Sequence, residues 1–134
     1  MSNTRILQLQ EFLSEDPSDS FSSYALALEY QKAGELEMAV LQMELLRSMD
    51  PDYLPLYYQL GGFYKEQKNL IAAEGVLREG IMLAEAQKNK HTLAELKQSL
   101  SDIVEDDFWF PLIYPFSDAE TDKSHFNPYF CLPV

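Results

Sequence analysis

The chain contains an internal repeat, which constrains the fold more than any other feature of the sequence. The segment 26–43, LALEYQKAGELEMAVLQM, aligns with the segment 60–77, LGGFYKEQKNLIAAEGVL. A period of about 34 residues with small residues at fixed places indicates stacked helical hairpins. The matched positions are Leu26 and Leu60, Ala27 and Gly61, Tyr30 and Tyr64, Ala39 and Ala73, and Met43 and Leu77.

Helical spacing and turn residues together predict six helices. Ser18 to Ser20 supply candidate N-caps for the second helix, and Asp52 is the candidate cap for the fourth. Gly34 is expected to end the second helix, because glycine readily adopts the left-handed conformation that follows many helices. Asn69 lies in the turn before the fifth helix. The expected helices span 4–15, 21–33, 36–49, 53–67, 70–88 and 91–104.

Small residues inside the predicted helices suggest close helix packing. Antiparallel helices approach closely only where the side chains at the crossing are small. Gly61 and Gly62 each cost a helix about 1 kcal/mol relative to alanine, so we expect close packing to compensate at both positions. Gly80 occupies the repeat position that Leu46 occupies in the first copy. The next helix is therefore expected to sit closer at that junction.

The repeat pattern resembles the tetratricopeptide repeat (TPR) family, and more narrowly its small stand-alone bacterial members. The second copy departs from the family pattern at Lys68, where a turn glycine is expected, and at Glu85, where a closing proline is expected. A third copy fails because Glu95 takes the place of the small residue, so the last helix is interpreted as a cap. The resemblance rests on Leu26, Ala27, Tyr30, Gly34, Ala39, Met43, Leu46 and Pro51 in the first copy, and on Tyr57, Leu60, Gly61, Tyr64, Ala73, Leu77 and Gly80 in the second.

The resemblance implies an all-α fold, a short right-handed α-solenoid of about six helices in antiparallel hairpins. The first helix corresponds to the second half of a repeat, since Pro17 lies one repeat length before Pro51. The expected helical domain covers 1–105 and the tail 106–134. Within the domain we expect a half repeat at 4–17, repeats at 20–53 and 54–87, and a capping helix at 89–105.

The tail differs in composition from the repeats. It holds four of the seven prolines and eight of the 17 aromatic residues. The prolines argue against a long helix, so a non-helical tail is predicted. It could pack as an extended arm against the stack, dock onto a partner, or be an extension foreign to the family. The arm hypothesis would cover Phe108, Trp109, Phe110 and Tyr114.

Composition disfavours several functional classes. A net charge of −12 with only ten Lys and Arg residues argues against nucleic-acid binding and against anionic membrane surfaces. His91, His125 and Cys131 have no metal-ligand spacing. We expect no catalytic residues, no metal and no cofactor. A single cysteine and the lack of a signal-like N-terminus favour a cytoplasmic protein.

The remaining candidate site is the surface formed by the first helix of each hairpin. In the TPR family these helices line a concave groove, which implies a non-enzymatic module that binds a peptide or helix of a protein partner. Alternatively, the tail or a second copy covers this groove, which would make the chain a self-associating structural protein and a possible homo-oligomer. The implied groove residues are Phe21, Tyr24, Leu28, Gln31, Pro55, Tyr58, Gly62, Lys65, Thr92 and Leu96.

Overall fold

A computed structural model describes residues 2–104, with side chains described from Thr4 onward, and these residues form helices without strands. The tail residues Phe108, Trp109, Phe110 and Tyr114 lie outside the described residues. Residues up to Leu100 form one compact unit, while residues 101–104 group with a second unit. The helices are α1 (Ser2–Glu15), α2 (Ser20–Lys32), α3 (Leu36–Met49), α4 (Pro55–Glu66), α5 (Leu70–Gln87) and α6 (Lys90–Val104).

The helices of the first unit pack as successive neighbours along the chain. Helices α2 and α3 form one hairpin and α4 and α5 form the next, while α1 packs on α2 and α3 packs on α4. The repeated small and apolar residues form the core, as their matched positions predict. The following repeat residues have no exposed surface: Ala27, Ala39, Met43, Leu46, Leu60, Ala73 and Leu77.

Side chains cap three of the helices at their N-termini. The Asp19 carboxylate accepts hydrogen bonds from the Ser22 backbone N–H at 3.3 Å and from its hydroxyl at 2.7 Å. Asn69 accepts from the Ala72 backbone N–H at 3.2 Å, and Asn89 accepts from Thr92 at 3.0 Å. Each cap satisfies a donor that has no partner inside its helix. Of the three candidate caps at 18–20, Asp19 is the one that caps α2.

The predicted Asp52 cap is wrong, because α4 begins at Pro55 and has no side-chain cap. Proline suits this position, since its fixed φ matches the helix and its missing N–H would have no helical partner there. The Leu56 N–H instead donates to the Tyr53 carbonyl, and the Tyr57 N–H donates to the Leu54 carbonyl, each at 3.2 Å. The donors that a cap would serve are already satisfied.

The two hairpin turns have the same backbone path despite different residues. Gly34 has φ +84° and Lys68, at the equivalent position of the next repeat, has φ +62°. The following N–H groups make matching bonds, from Glu35 to the Tyr30 carbonyl at 2.8 Å and from Asn69 to the Tyr64 carbonyl at 2.9 Å. Lys68 therefore adopts the left-handed conformation that glycine adopts in the first hairpin.

Helix α5 extends beyond the point at which α3 ends. Helix α3 ends at Met49, just before Asp50 and Pro51, whereas α5 continues to Gln87 because Glu85 replaces the proline. Lys88, with φ +59°, follows the last residue of α5. The long fifth helix predicted over 70–88 is confirmed.

Two of the three glycines singled out from the sequence lie in tight packing. A Cβ at Gly80 would come 2.6 Å from Tyr57 Cβ and 3.3 Å from Leu96 Cδ1, so both α4 and α6 approach α5 there. A Cβ at Gly61 would come 2.6 Å from Leu77 Cδ2. Gly62 has no atom within 4 Å of its Cβ position, so the expectation of close packing at Gly62 is wrong.

Candidate interaction surface

The predicted groove residues share one side of their helices by simple helical periodicity. Positions 21, 24, 28 and 31 are spaced by three or four residues, and positions 55, 58, 62 and 65 repeat that spacing one repeat later. The opposite side of α2 is buried, with Leu26 and Ala27 in the core. We call the accessible set the first-helix face. It comprises Phe21, Tyr24, Leu28, Gln31, Pro55, Tyr58, Gly62, Lys65 and Thr92.

Two aromatic side chains of this face are exposed. Phe21 is 65% exposed and Tyr58 is 41% exposed, whereas Tyr24 and Leu28 are half-buried. Leu96 was also expected here, but it is fully buried. It reaches the core because Gly80 leaves space where the preceding repeat has Leu46. Leu96 is therefore not part of the first-helix face.

Tyr24 is held in place by Tyr53, just before α4, and by Gln59 of α4. Its ring lies 5.5 Å from the Tyr53 ring, centroid to centroid, at a tilt of 60°, a separation typical of stabilising aromatic pairs. Burial raises the pKa of the Tyr24 hydroxyl, the nearby Glu95 carboxylate raises it further, and a hydrogen bond with Gln59 opposes them. Tyr24 therefore presents a neutral, oriented hydroxyl at neutral pH.

Polar contacts join successive first helices along the same face. The Gln31 amide donates to the Glu66 carboxylate at 3.2 Å, joining α2 to α4. The Lys65 ammonium donates to the buried Ser99 hydroxyl at 2.7 Å, joining α4 to α6. Gln31, Lys65 and Ser99 stand at equivalent positions of successive repeats. One repeat position therefore supplies a polar residue to each of the three first helices.

A second polar network joins α3, α4 and α5. Arg47 donates to Glu44 at 2.9 Å and to Glu79 at 2.5 Å, and the Tyr64 hydroxyl donates to Glu44. Burial raises the pKa of Tyr64 to about 12, with the adjacent Glu44 carboxylate as the second cause. One repeat earlier, the Gln10 amide donates to the Tyr30 hydroxyl at 3.0 Å. This network links the helices through residues that are not part of the first-helix face.

Residues outside the sequence-based candidate set also shape this face. The residues that contact it are Tyr53, Gln59, Glu66 and Ser99. Of these, the sequence could have identified only Ser99, which lies one repeat length after Lys65. Between residues 2 and 104, no cluster of three His, Cys, Asp or Glu residues has the arrangement of a metal site. In the same part of the chain, no helix is long and apolar enough to cross a membrane.

Solved structures similar to this chain come from TPR domain proteins of Salinibacter ruber. A crystal structure shares 32% sequence identity with a TM-score of 0.61, and covers 63% of this chain and 94% of that chain. A solution NMR structure shares 33% identity with a TM-score of 0.63, and covers 66% and 89%. No protein-family model matches the chain, and no curated protein matches it. The two structures confirm the predicted all-α fold class of helical hairpins.

Proposed function

The chain belongs to the tetratricopeptide repeat family, and from this premise we propose that its first-helix face binds an extended peptide or a helix of a protein partner. The family fold favours protein–protein interaction. The proposed role is that of a non-enzymatic module in which two hairpins and a capping helix present one continuous binding surface.

The observation that carries the proposal is the exposure of aromatic side chains on this face. Phe21 is mostly accessible and Tyr58 is partly so, although the repeats around them bury a well-packed core. Aromatic residues are enriched in protein interfaces, because they bury a large area while losing few rotatable bonds. Their positions on successive first helices suit a ligand that runs across the helices and contacts each repeat.

The polar groups of the face indicate how such a ligand would be oriented. The Tyr24 hydroxyl, the Gln31 amide and the Lys65 ammonium lie on the same helix faces as the aromatic residues. Extended peptides present unpaired backbone N–H and C=O groups, which amide, hydroxyl and ammonium side chains can satisfy. We therefore favour an extended ligand with apolar side chains, whose backbone is bound by polar groups of α2 and α4.

This function can be tested without knowing the natural partner. Peptides selected from a random display library against the full chain would be titrated into isotopically labelled protein and followed by amide NMR. We expect the largest shift changes at α2 and α4 residues of the first-helix face, with Ile71 of α5, which is 82% exposed, as the distant reference. Shift changes confined to α3 and α5 would contradict the proposal.

The same samples test the self-association alternative. Sedimentation equilibrium of the full chain would report its mass with and without the selected peptide. The expected result is a monomer mass without the peptide, and with it a mass larger only by that of one bound peptide. A dimer that the peptide dissociates would instead show that a second copy covers the first-helix face.

A further inference from the structure

Two junctions between helices, α1 with α3 and α3 with α5, occupy equivalent positions in successive repeats. Between α3 and α5, Arg47 and Glu79 form an ion pair of 2.5 Å across the junction. One repeat earlier, the equivalent positions between α1 and α3 hold Leu13 and Leu45. An ion pair closes the later junction, whereas two leucines occupy the earlier one.

A cleft of about 540 Å³ opens at this earlier junction. Helices α1, α2 and α3 all contribute to its lining, and the lining residues of α2 are buried. Among the described residues that line it, none carries a charge, and the polar groups are amides and hydroxyls. Its apolar lining comprises Leu13, Pro17, Leu26, Tyr30, Leu45 and Met49.

The apolar surface of the cleft continues along the outer side of α3. Met38, Leu41, Leu45 and Met49 recur at intervals of three or four residues, so they form one stripe along the helix. They are 42%, 63%, 52% and 42% exposed, respectively. Helix α5 does not repeat this stripe, because Gly75 and Glu79 replace Leu41 and Leu45. The stripe is therefore not required by the repeat architecture.

Charge distinguishes the possible occupants of this surface. Four exposed acidic residues are sequence neighbours of the cleft lining or of the stripe: Glu11 and Glu15 on α1, Asp16 just after it, and Glu37 on α3. A second copy of the chain would also carry a net charge of −12. The segment 106–134 has five acidic residues and one lysine, so it shares that sign. A ligand with basic residues beside an apolar face is the complementary partner.

We propose that the cleft between α1 and α3, together with the α3 stripe, binds a basic amphipathic helix of another protein. The stripe from Met38 to Met49 spans about 16 Å at 1.5 Å per residue. A helix of about three turns covers that length, with its apolar side against Leu45 and Met49 and its basic residues near the acidic ends of α1 and α3. This site is separate from the first-helix face and does not depend on the function proposed for it.

The test uses the full chain and a designed peptide long enough for about four helical turns, with leucines on one helical face and lysines flanking them. A peptide of identical composition but scrambled order controls for simple charge attraction. Fluorescence anisotropy would give both affinities. We expect the amphipathic peptide to bind at least about tenfold more tightly than the scrambled one. Equal binding of the two peptides, or no binding of either, would overturn the proposal.

The decisive variant is Leu13→Arg combined with Leu45→Glu, which introduces into this junction the residues of the Arg47–Glu79 pair at unchanged net charge. We expect it to weaken binding of the amphipathic peptide at least about tenfold. Ile71→Ser, an exposed apolar site on α5, and Tyr58→Ala, on the first-helix face, should leave the affinity unchanged. Unaltered binding by the double variant would overturn the proposal.

A milder variant guards against loss of folding. Leu45→Ser alters a side chain that is 52% exposed, so it should retain the helical circular dichroism of the parent. It is expected to weaken binding at least about threefold, and an unchanged affinity would count against the cleft. Sedimentation that shows a dimer abolished by Leu45→Ser would place a second copy in the cleft and overturn the proposal.

Discussion

Gly61 of α4 packs directly against Leu77 of α5. A Cβ atom at position 61 would lie 2.6 Å from Leu77 Cδ2 and 2.8 Å from its Cγ. Leu77 has no exposed surface, so it has little room to move away. The neighbouring Gly62 has no such contact. Two adjacent glycines of one helix therefore differ in their physical roles, and substitution should separate them.

The four helical glycines should divide into two pairs on substitution by alanine. Gly80→Ala is expected to lower the free energy of unfolding by about 2 kcal/mol, and Gly61→Ala by about 1 kcal/mol, because overpacking outweighs the gain in helix propensity. Gly80 is the more sensitive because the Tyr57 Cβ it meets is fixed to the backbone. Gly62→Ala and Gly75→Ala, which have open space, should raise it by up to about 1 kcal/mol.

Chemical denaturation of the four variants measures these differences. The two buried glycines serve as the test and the two open glycines as matched controls within the same helices. If all four substitutions changed the free energy of unfolding in the same direction, the packing account would be contradicted.

The two hairpin turns should respond oppositely to exchange of their left-handed residues. Lys68→Gly is expected to raise the free energy of unfolding by up to about 1 kcal/mol, since a non-glycine residue is strained at positive φ. Gly34→Ala should lower it by about 1 kcal/mol for the same reason. Thermal unfolding followed by circular dichroism compares them, with Lys32→Gly as a control for simple loss of helix propensity. Destabilisation by Lys68→Gly would show that the lysine side chain contributes more than its backbone strain costs.

Restoring the proline of the family pattern should be harmful in the second hairpin. Glu85→Pro is expected to destabilise the fold by about 3 kcal/mol, because α5 continues through this position and proline removes a helical hydrogen bond. Pro51→Ala, at the equivalent position of the first hairpin, lies outside α3 and should change stability by less than about 1 kcal/mol. Urea denaturation of both variants provides the measurement. If Glu85→Pro destabilised the fold no more than Pro51→Ala, α5 could end before residue 85 without loss of stability.

Tyr64 should contribute a stability that disappears in alkaline solution. Burial, followed by the hydrogen bond to the Glu44 carboxylate, raises the pKa of Tyr64 to about 12, whereas an unfolded tyrosine has a pKa of about 10. The folded state therefore binds this proton more tightly. Its contribution is complete below about pH 10 and is lost as the pH rises towards 12.

Comparison of Tyr64→Phe with the parent chain checks this dependence. At pH 8 the variant should be less stable by about 1 kcal/mol, from loss of the hydrogen bond. This difference should shrink between pH 10 and pH 12. Glu44→Gln should lower the pKa of Tyr64, because it removes the charged acceptor. Parallel pH profiles for Tyr64→Phe and the parent would exclude Tyr64 as the titrating group.

Local sequence signals predicted most of the helical framework, because each acts over a few residues. Asp19 caps α2 and Gly34 ends it as expected, since the required conformations depend on the residues themselves. Asp52 failed as a cap because the backbone around Pro55 had already satisfied the available donors. The left-handed conformation of Lys68 was not predicted, because lysine does not favour it; it became apparent from the backbone, which repeats that of Gly34.

The candidate surface was less predictable, because exposure depends on contacts between helices. Leu96 follows the helical spacing expected of a surface residue, yet the space above Gly80 places it in the core. The contacts of Tyr24 with Tyr53 and Gln59 join residues that are distant in sequence and share no repeat position. The cleft between α1 and α3 became apparent only when Leu13 and Leu45 could be compared with Arg47 and Glu79.

The most direct measurement is calorimetric titration of a library-selected peptide into the parent chain and into Tyr24→Ala/Tyr58→Ala. Circular dichroism would verify that the double variant remains folded, and Ile71→Ala would serve as the exposed control. If the first-helix face is the binding site, the double variant binds at least about tenfold more weakly, a loss of about 1.4 kcal/mol, while Ile71→Ala retains the parent affinity. Equal affinity for the parent and the folded double variant would contradict the proposed site.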